Sequence, residues 1–381
     1  KMAVIIALGT VLIAAVYFGK KYKASQKQAE IAEFYNQFSD EAYTAFGKKL
    51  EASIHENHPE DFDKSVDIAS LFDFSNRDLS GSYNKRKTVE FLGPILKVGT
   101  TIHAQLNHPD EFKFTRFYKK NGIPHVVFRS YLSNFINYID FTLGIKKEAI
   151  IITDMYYFFP GLVFSEMASD LYRKVMSQRD FSTIDLSTYE SVETNLALGN
   201  FEETYSLLRS IPENQRHPYH YQFLLVTAEN LDDDTFFQVL EELKTRKPND
   251  QRLHSYLNFK KHIFKGNLTQ LNAAIDELKK HVGDDLLFDL YRGFTLNLTA
   301  DYEQAIPYFD TIITKMPALY EAYYYKLESL LVLNKEKEAL SLVAEMKHHF
   351  LLQEEDFTLS ISDFQEFIQS EAYKNIFKDA E

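Results

Sequence analysis

The chain has 381 residues, 45% of them apolar, with a formal charge of −13 at pH 7. That acidic excess, with no basic stripe of useful length to offset it, argues against a nucleic-acid partner. The absence of cysteine removes disulfides, thiolate zinc sites, iron–sulfur clusters and cysteine nucleophiles, and the absence of tryptophan leaves 32 Phe and 24 Tyr as the aromatic stock of any core.

The length suffices for two compact domains beyond an anchor. From Met2 to Gly19 run eighteen uncharged residues dominated by Ala, Val, Ile and Leu, followed by Lys20, Lys21 and Lys23. Such a run is long enough to cross a membrane as a helix, is apolar on every face, and is not followed by a small-residue cleavage site. A retained single-pass transmembrane helix over 2–19 is therefore expected. Four lysines (20, 21, 23 and 27) follow the span and only Lys1 precedes it, which places the bulk of the chain on the cytoplasmic side. Basic residues ahead of Lys1 would reverse that count and favour a periplasm or lumen.

Residues 20–59 are polar and helix-favouring and read as a helical linker. From 60 the pattern is helical, with Phe62, Val66, Ala69, Leu71 and Phe72, then Val89, Leu92, Ile95 and Leu96. The texture changes at FKFTRFYKKNG, IPHVVFRSYL, FINYIDFTL and AIIITDMYYFF, which are rich in Phe, Tyr, Ile and Val. Turn signals separate them at Asn121-Gly122, Ser133-Asn134 and Gly144, so about four antiparallel strands are expected. A final helix follows, carrying Leu162, Met167, Leu171 and Val175.

Helices, a meander and a closing helix over 60–178 make an α+β domain with helices on one sheet face. The run INYIDFTL…IIITDMYYFFPGLVFSE resembles the sheet of nuclear-transport-factor-like, cystatin-type cone domains, and in particular bacterial cone domains fused to helical repeats. That resemblance implies a pocket between sheet and helix, used in different members for catalysis, ligand binding or dimerisation. Strand alternation puts Ile150, Ile152, Asp154, Tyr156 and Phe158 on one face, and His125, Arg129 and Tyr131 share a parity on their own strand. Asp154 with His125 would make a general base in such a pocket. The structural alternative is that Asp154 pairs with Arg129 or caps the turn before Pro160-Gly161.

Beyond 186 the sequence repeats. LGNFEETYSLLRSIP, KGNLTQLNAAIDEL, ADYEQAIPYFDTIITKMP and LNKEKEALSLVAEM align with Gly199, Gly266, Ala300 and Asn334 equivalent, at separations of 67, 34 and 34. One further, degenerate unit is expected around LDDDTFFQVLEEL. The period resembles the tetratricopeptide repeat over 186–350, about five units, in which two antiparallel helices cross at a small residue and a Pro ends the unit. The resemblance assigns packing roles to Gly199, Phe201, Gly266, Tyr302, Ala305, Pro317 and Ala339. Thr204 and Leu271 depart from it, standing where Ala is usual. Residues 351–381, with Phe364, Phe367 and Ile368 at helical spacing, read as a capping helix over the open end.

Such solenoids bind through the first helix of each pair, which makes Tyr189, Asn195, Tyr221, His254, Asn258, Arg292 and Tyr324 candidate exposed partner-binding residues. Asp232 to Asp234 read as a helix N-terminus, where carboxylates meet unsatisfied amides. His55 and His58 in HENH lack an identifiable third ligand, so no metal is expected. No Walker loop, dinucleotide fingerprint, HExxH or nucleophile elbow occurs. The expectation is a membrane-anchored, cofactor-free interaction scaffold or accessory subunit, not an enzyme. A chaperone-like accessory in protein export or assembly and a ligand-binding or catalytic cone are the alternatives.

Overall fold

The computed structural model describes residues 26–73, 84–94, 96–132, 135–169, 172, 186–216 and 220–378. They fall into two compact units, the second comprising Phe159–Gly161 with the described residues beyond 181, and the first the remaining described residues. No helix among the described residues is long and apolar enough to cross a membrane, and the span expected over 2–19 lies outside them.

The first unit is an antiparallel meander in the order β1-β2-β3-β4-β5 with helices on one face. Its strands are β1 Phe112–Lys120, β2 Ile123–Leu132, β3 Phe135–Lys146, β4 Ala149–Tyr157 and a two-residue β5 Leu162–Val163. The four long strands cover the runs rich in Phe, Tyr, Ile and Val, and β5 takes the start of what reads as the final helix; Ser133-Asn134 lies outside the described residues. The helix α7 is described over 164–169; Leu171 and Val175 lie outside the described residues. Asn121 and Gly122 form the first tight turn with φ of 52° and 82°, the left-handed pair that a two-residue hairpin requires. Gly144 is not a turn residue. It lies inside β3, and Lys147 and Glu148 make the turn instead, with φ of 50° and 60°. Gly144 serves the side chain of Thr153, whose methyl would lie 2.5 Å from a Cβ placed there.

The helices are α1 over 26–35, α2 Asp40–His55, α3 Pro59–Lys64, α4 Ile68–Leu71, α5 Lys85–Leu92 and α6 Val98–Gln105. The stretch read as a linker thus contributes α2 to the domain. Tyr43, Gly47, Leu50 and Ile54 recur at helical spacing on its buried side, and the helix packs on β1 and β2. At the centre, Phe112 stacks on Phe128 at 4.7 Å, and Phe62 meets Phe141 edge-on at 5.5 Å. Val66, Leu71 and Phe72 are buried, and Val89 and Leu96 pack against the same cluster. The chain at 65–67 also adds to the edge of β4, Asp67 N–H donating to Ile152 O at 2.8 Å and Ile152 N–H to Ser65 O at 2.8 Å.

The second unit is helical. Five consecutive pairs are α8 Leu186–Ala197 with α9 Phe201–Ser210, α10 His220–Glu229 with α11 Asp233–Arg246, and α12 Gln251–Phe264 with α13 Leu268–Val282, then α14 Leu287–Leu298 with α15 Tyr302–Lys315 and α16 Tyr320–Val332 with α17 Glu336–Phe350. The members of each pair pack together, and α14 also touches α12 and α16, so successive first helices adjoin. The four aligned positions Gly199, Gly266, Ala300 and Asn334 all have positive φ, at 74°, 62°, 61° and 55°. Three of them close the preceding helix in the same way. Asn200 N–H reaches back to Asn195 O, Asp301 N–H to Leu296 O and Lys335 N–H to Leu330 O, each at 2.9 Å, which satisfies a terminal carbonyl. The degenerate unit turns differently, with Asp232 capping α11 by accepting from Thr235 N–H at 2.8 Å.

Ala305 and Ala339 are fully buried on their second helices, as are Thr204 and Leu271 at the departing positions. Thr204 is tolerated because its hydroxyl donates to Asn200 O at 2.7 Å within its own helix. Phe201 and Tyr302 are half-buried at the first positions of α9 and α15, and Pro317 follows the end of α15. On α14, a Cβ added to Gly293 would lie 2.6 Å from the ring of Phe309, so the two helices meet closely there.

The expected single capping helix is three short ones, α18 Glu354–Ser360, α19 Gln365–Gln369 and α20 Glu371–Phe377. Ser370, with an extended backbone at ψ 146°, separates α19 from α20 and caps the latter by accepting from Tyr373 N–H. Phe357, Ile361, Ile368 and Tyr373 nevertheless bury themselves against α16 and α17.

Two residues hold a left-handed backbone without needing their side chain there. Ala300 is exposed, and Leu351, at the C-terminus of α17, has φ 56° and is 81% exposed. Ala300→Gly and Leu351→Gly are each expected to stabilise the unit by about 1 kcal/mol by relieving that strain. Thermal melts followed by circular dichroism check this.

Candidate functional site

The residues proposed for a cone pocket do not assemble as alternation predicts. Thr142 pairs with Asp154 but Leu143 pairs with Ile152, so Thr153 is an extra residue and β4 carries a bulge. The bulge reverses parity along the strand. Ile150 and Ile152 join the helix-covered core, while Asp154, Tyr156 and Phe158 follow the opposite parity. His125 and Asp154 both flank Thr142 in the ladder, which separates them by two strand spacings, roughly 10 Å. Asp154 does not meet Arg129 either. Its carboxylate accepts from Ser165 Oγ at 2.5 Å and Ser165 N–H at 3.1 Å, which ties down the first turn of α7.

His125 has a different acid. Its Nδ1 donates to Asp140 Oδ1 at 3.0 Å, and Tyr118 Oη donates to Asp140 Oδ2 at 2.6 Å. The Tyr118 ring stacks on the imidazole at 4.9 Å, and Arg116 lies over that ring at 5.1 Å. Asp140 is 1% exposed and His125 8%. A carboxylate holding Nδ1–H leaves Nε2 as the basic nitrogen, the arrangement a general base uses. Arg129 is turned elsewhere, its guanidinium donating to Asp110 O. Alternation cannot find Asp140, because it lies on β3 diagonally from His125; reading the hairpin register β2 to β3 could have found it.

The seven partner-binding candidates all lie on first helices, but they form no single cluster. Tyr189 and Tyr221 are buried, at 7% and 9% exposure, which corrects their reading as exposed. They belong to a packed polar seam: Tyr189 Oη lies 3.0 Å from His220 Nδ1, and Tyr221 Oη donates to Glu242 Oε1 at 2.7 Å. Arg209 binds the other oxygen of Glu242 at 2.6 Å, while Arg216 and Arg246 flank the Tyr221 ring at 5.8 and 5.1 Å. Burial pushes the His220 imidazole down to about 4, with Arg216 and Arg209 adding to it. His254 binds Lys247 O at 2.9 Å, Asn258 accepts from Lys244 at 2.7 Å, and Arg292 donates to Asn272 and Asp289, each at 2.7 Å. Asn195 accepts weakly from Asn200. His55 is engaged by Phe112 O at 2.8 Å and His58 lies 3.5 Å from Glu60, and no metal-binding group of three is found among the described residues.

Tyr324 is half-exposed and stacks on Tyr320 at 6.4 Å, one turn earlier on α16. Its neighbour Tyr325 contacts Phe294 of α14 at 5.1 Å. Burial raises the Tyr325 phenol to about 12, helped by the charges of Glu321, Glu328 and Glu229. Tyr325 also closes a column that sequence reading missed: Tyr189, Phe223, Leu257, Tyr291 and Tyr325 recur every 34 residues. The signal was the repeat period, applied to the first helices instead of to the turns.

The chain matches no protein-family model, and no curated protein or solved structure was found to match it.

Proposed function

We propose that this chain is a membrane-anchored interaction scaffold, an accessory subunit whose tetratricopeptide-like helical unit binds a protein partner. The carrying observation is the recurrence of one turn geometry at Gly199, Gly266, Ala300 and Asn334, at multiples of about 34 residues. Helical pairs stacked at such a period gain a long surface of adjoining first helices, and binding proteins use that surface. In this reading the span 2–19 fastens the protein to the membrane with its bulk on the cytoplasmic side. Tethering then raises the effective concentration of the helical unit near a membrane partner and turns a weak contact into lasting association.

A C-terminally tagged full chain extracted in mild detergent tests the reading. It is expected to retain a partner at fixed stoichiometry, and deletion of 186–350 with 2–19 kept should lose it. A chain that emerges alone would overturn the scaffold reading.

One observation favours a second reading, a cone domain of the nuclear-transport-factor-like kind acting on a small ligand: the Asp140-held imidazole of His125. Under it His125→Gln would abolish function while the sheet unit stays folded.

A further inference from the structure

His220 opens α10 and is 1% exposed. Tyr189 of α8 reaches it, its Oη lying 3.0 Å from Nδ1 and its ring 5.9 Å from that of Phe223, one turn further along α10. The other ring nitrogen, Nε2, is buried without a hydrogen-bond partner among the described residues. For the neutral ring the cost is a single unmade hydrogen bond. An imidazolium carries a proton on both nitrogens, so Nε2–H would become a buried donor with no acceptor on a ring that had also gained a charge.

The surroundings oppose that charge. The Tyr221 ring meets the imidazole edge-on at 5.3 Å, Arg216 donates to Tyr221 Oη at 3.1 Å, and Arg246 of α11 lies over the Tyr221 ring at 5.1 Å. These two guanidiniums and that of Arg209 on α9 all act against a proton on His220. Glu242 of α11 favours the proton, but its oxygens are taken by Tyr221 at 2.7 Å and Arg209 at 2.6 Å. Glu213 is engaged with Arg246. A protonated ring is relieved by reaching water. α10 packs along α9 and α11, whereas α8 adjoins it more narrowly, at Tyr189, so this junction frees the ring with the least loss of packing.

We propose that this seam is an acid-operated joint, in which protonation of His220 parts α8 from α10 while the later helical pairs stay closed. In a stack whose units touch only their neighbours, opening at the first pair need not spread along the array. Under the scaffold reading, on which this consequence rests, acid shortens the run of adjoining first helices and loosens a partner held at α8 and α10.

Hydrogen–deuterium exchange of the full chain in mild detergent, read by mass spectrometry at pH 7 and pH 5 and corrected for the slower exchange chemistry of acid, tests this. Folding depresses the imidazole from 6.5 to about 4, so the closed state is fully favoured above 6.5 and loses ground as pH falls towards 4. Openings that free the ring should be about twentyfold more populated at pH 5, and peptides from α8 and the first turn of α10 should lose protection by that factor. Peptides from α14 and α15, which contain no histidine, should not change. His220→Gln should remove the rise. Tyr189→Phe should speed exchange at both pH values yet keep the ratio, because the titrating ring remains; that separates titration from a merely weakened seam. No acid rise in α8, an equal rise in α14 and α15, or a rise that survives in His220→Gln would overturn the proposal. Should His220→Gln not fold, the distribution of protection in the unmodified chain decides alone. None of these failures alters whether a partner co-purifies, so the scaffold reading stands or falls separately.

Discussion

Acidification from pH 6.5 to 4 is expected to remove about 3 kcal/mol from the stability of the helical unit through His220 alone. The imidazole is 1% exposed, and its Nε2 has no hydrogen-bond partner. Folding holds it neutral, at a pKa of about 4 against 6.5 when unfolded. The contribution is therefore complete above 6.5 and lost as pH falls through the interval, because only the unfolded chain takes up the proton there. Carboxylates act later. Glu213, which Arg246 holds below its ordinary 4.5, loses its contribution only at lower pH. Urea midpoints by far-ultraviolet circular dichroism at pH 7 and pH 4.5 should separate widely in the unmodified chain and much less in His220→Gln. An undiminished separation in the variant would mean that other groups carry the acid sensitivity.

Asp140→Ala is expected to destabilise the sheet unit by about 3 kcal/mol, since a buried imidazole and a half-buried phenol lose their shared acceptor at once. His125 Nδ1 and Tyr118 Oη both rely on this 1%-exposed carboxylate. Asp140→Asn keeps an acceptor oxygen and should lose less. The matching cycle with Tyr118→Phe should show coupling, because the second substitution removes a donor that Asp140→Ala has already orphaned. Additive losses would mean that Tyr118 and Asp140 act independently.

Much of the architecture was legible because it depends on short-range rules. The strands follow period-two runs of Phe, Tyr, Ile and Val, and Asn121-Gly122 turns because both residues accept positive φ. The helical pairs follow from a spacing of about 34 residues, and four of their turns recur because the chain there reverses through a left-handed residue at Gly199, Gly266, Ala300 or Asn334. Gly144 misled for the same local reason. A glycine just ahead of Lys146, Lys147 and Glu148 reads as a turn, yet here it clears space for Thr153 across the strand pair.

The candidate site was less legible. Alternation is counted along one strand, and a single extra residue at Thr153 flips the faces, so Asp154 was matched to the wrong neighbours. Tyr189 and Tyr221 sit on first helices as expected, but only packing shows that they are sunk into a seam with His220 and Glu242.

The sequence by itself determined the two kinds of unit, the meander, the repeat period and the positions where helices turn back, since each is fixed by residues within a few positions of one another. Only the tertiary structure decided which acid holds His125 and which tyrosines are sunk. Those outcomes depend on register between strands and on burial between helices, and both bring together residues dozens of positions apart.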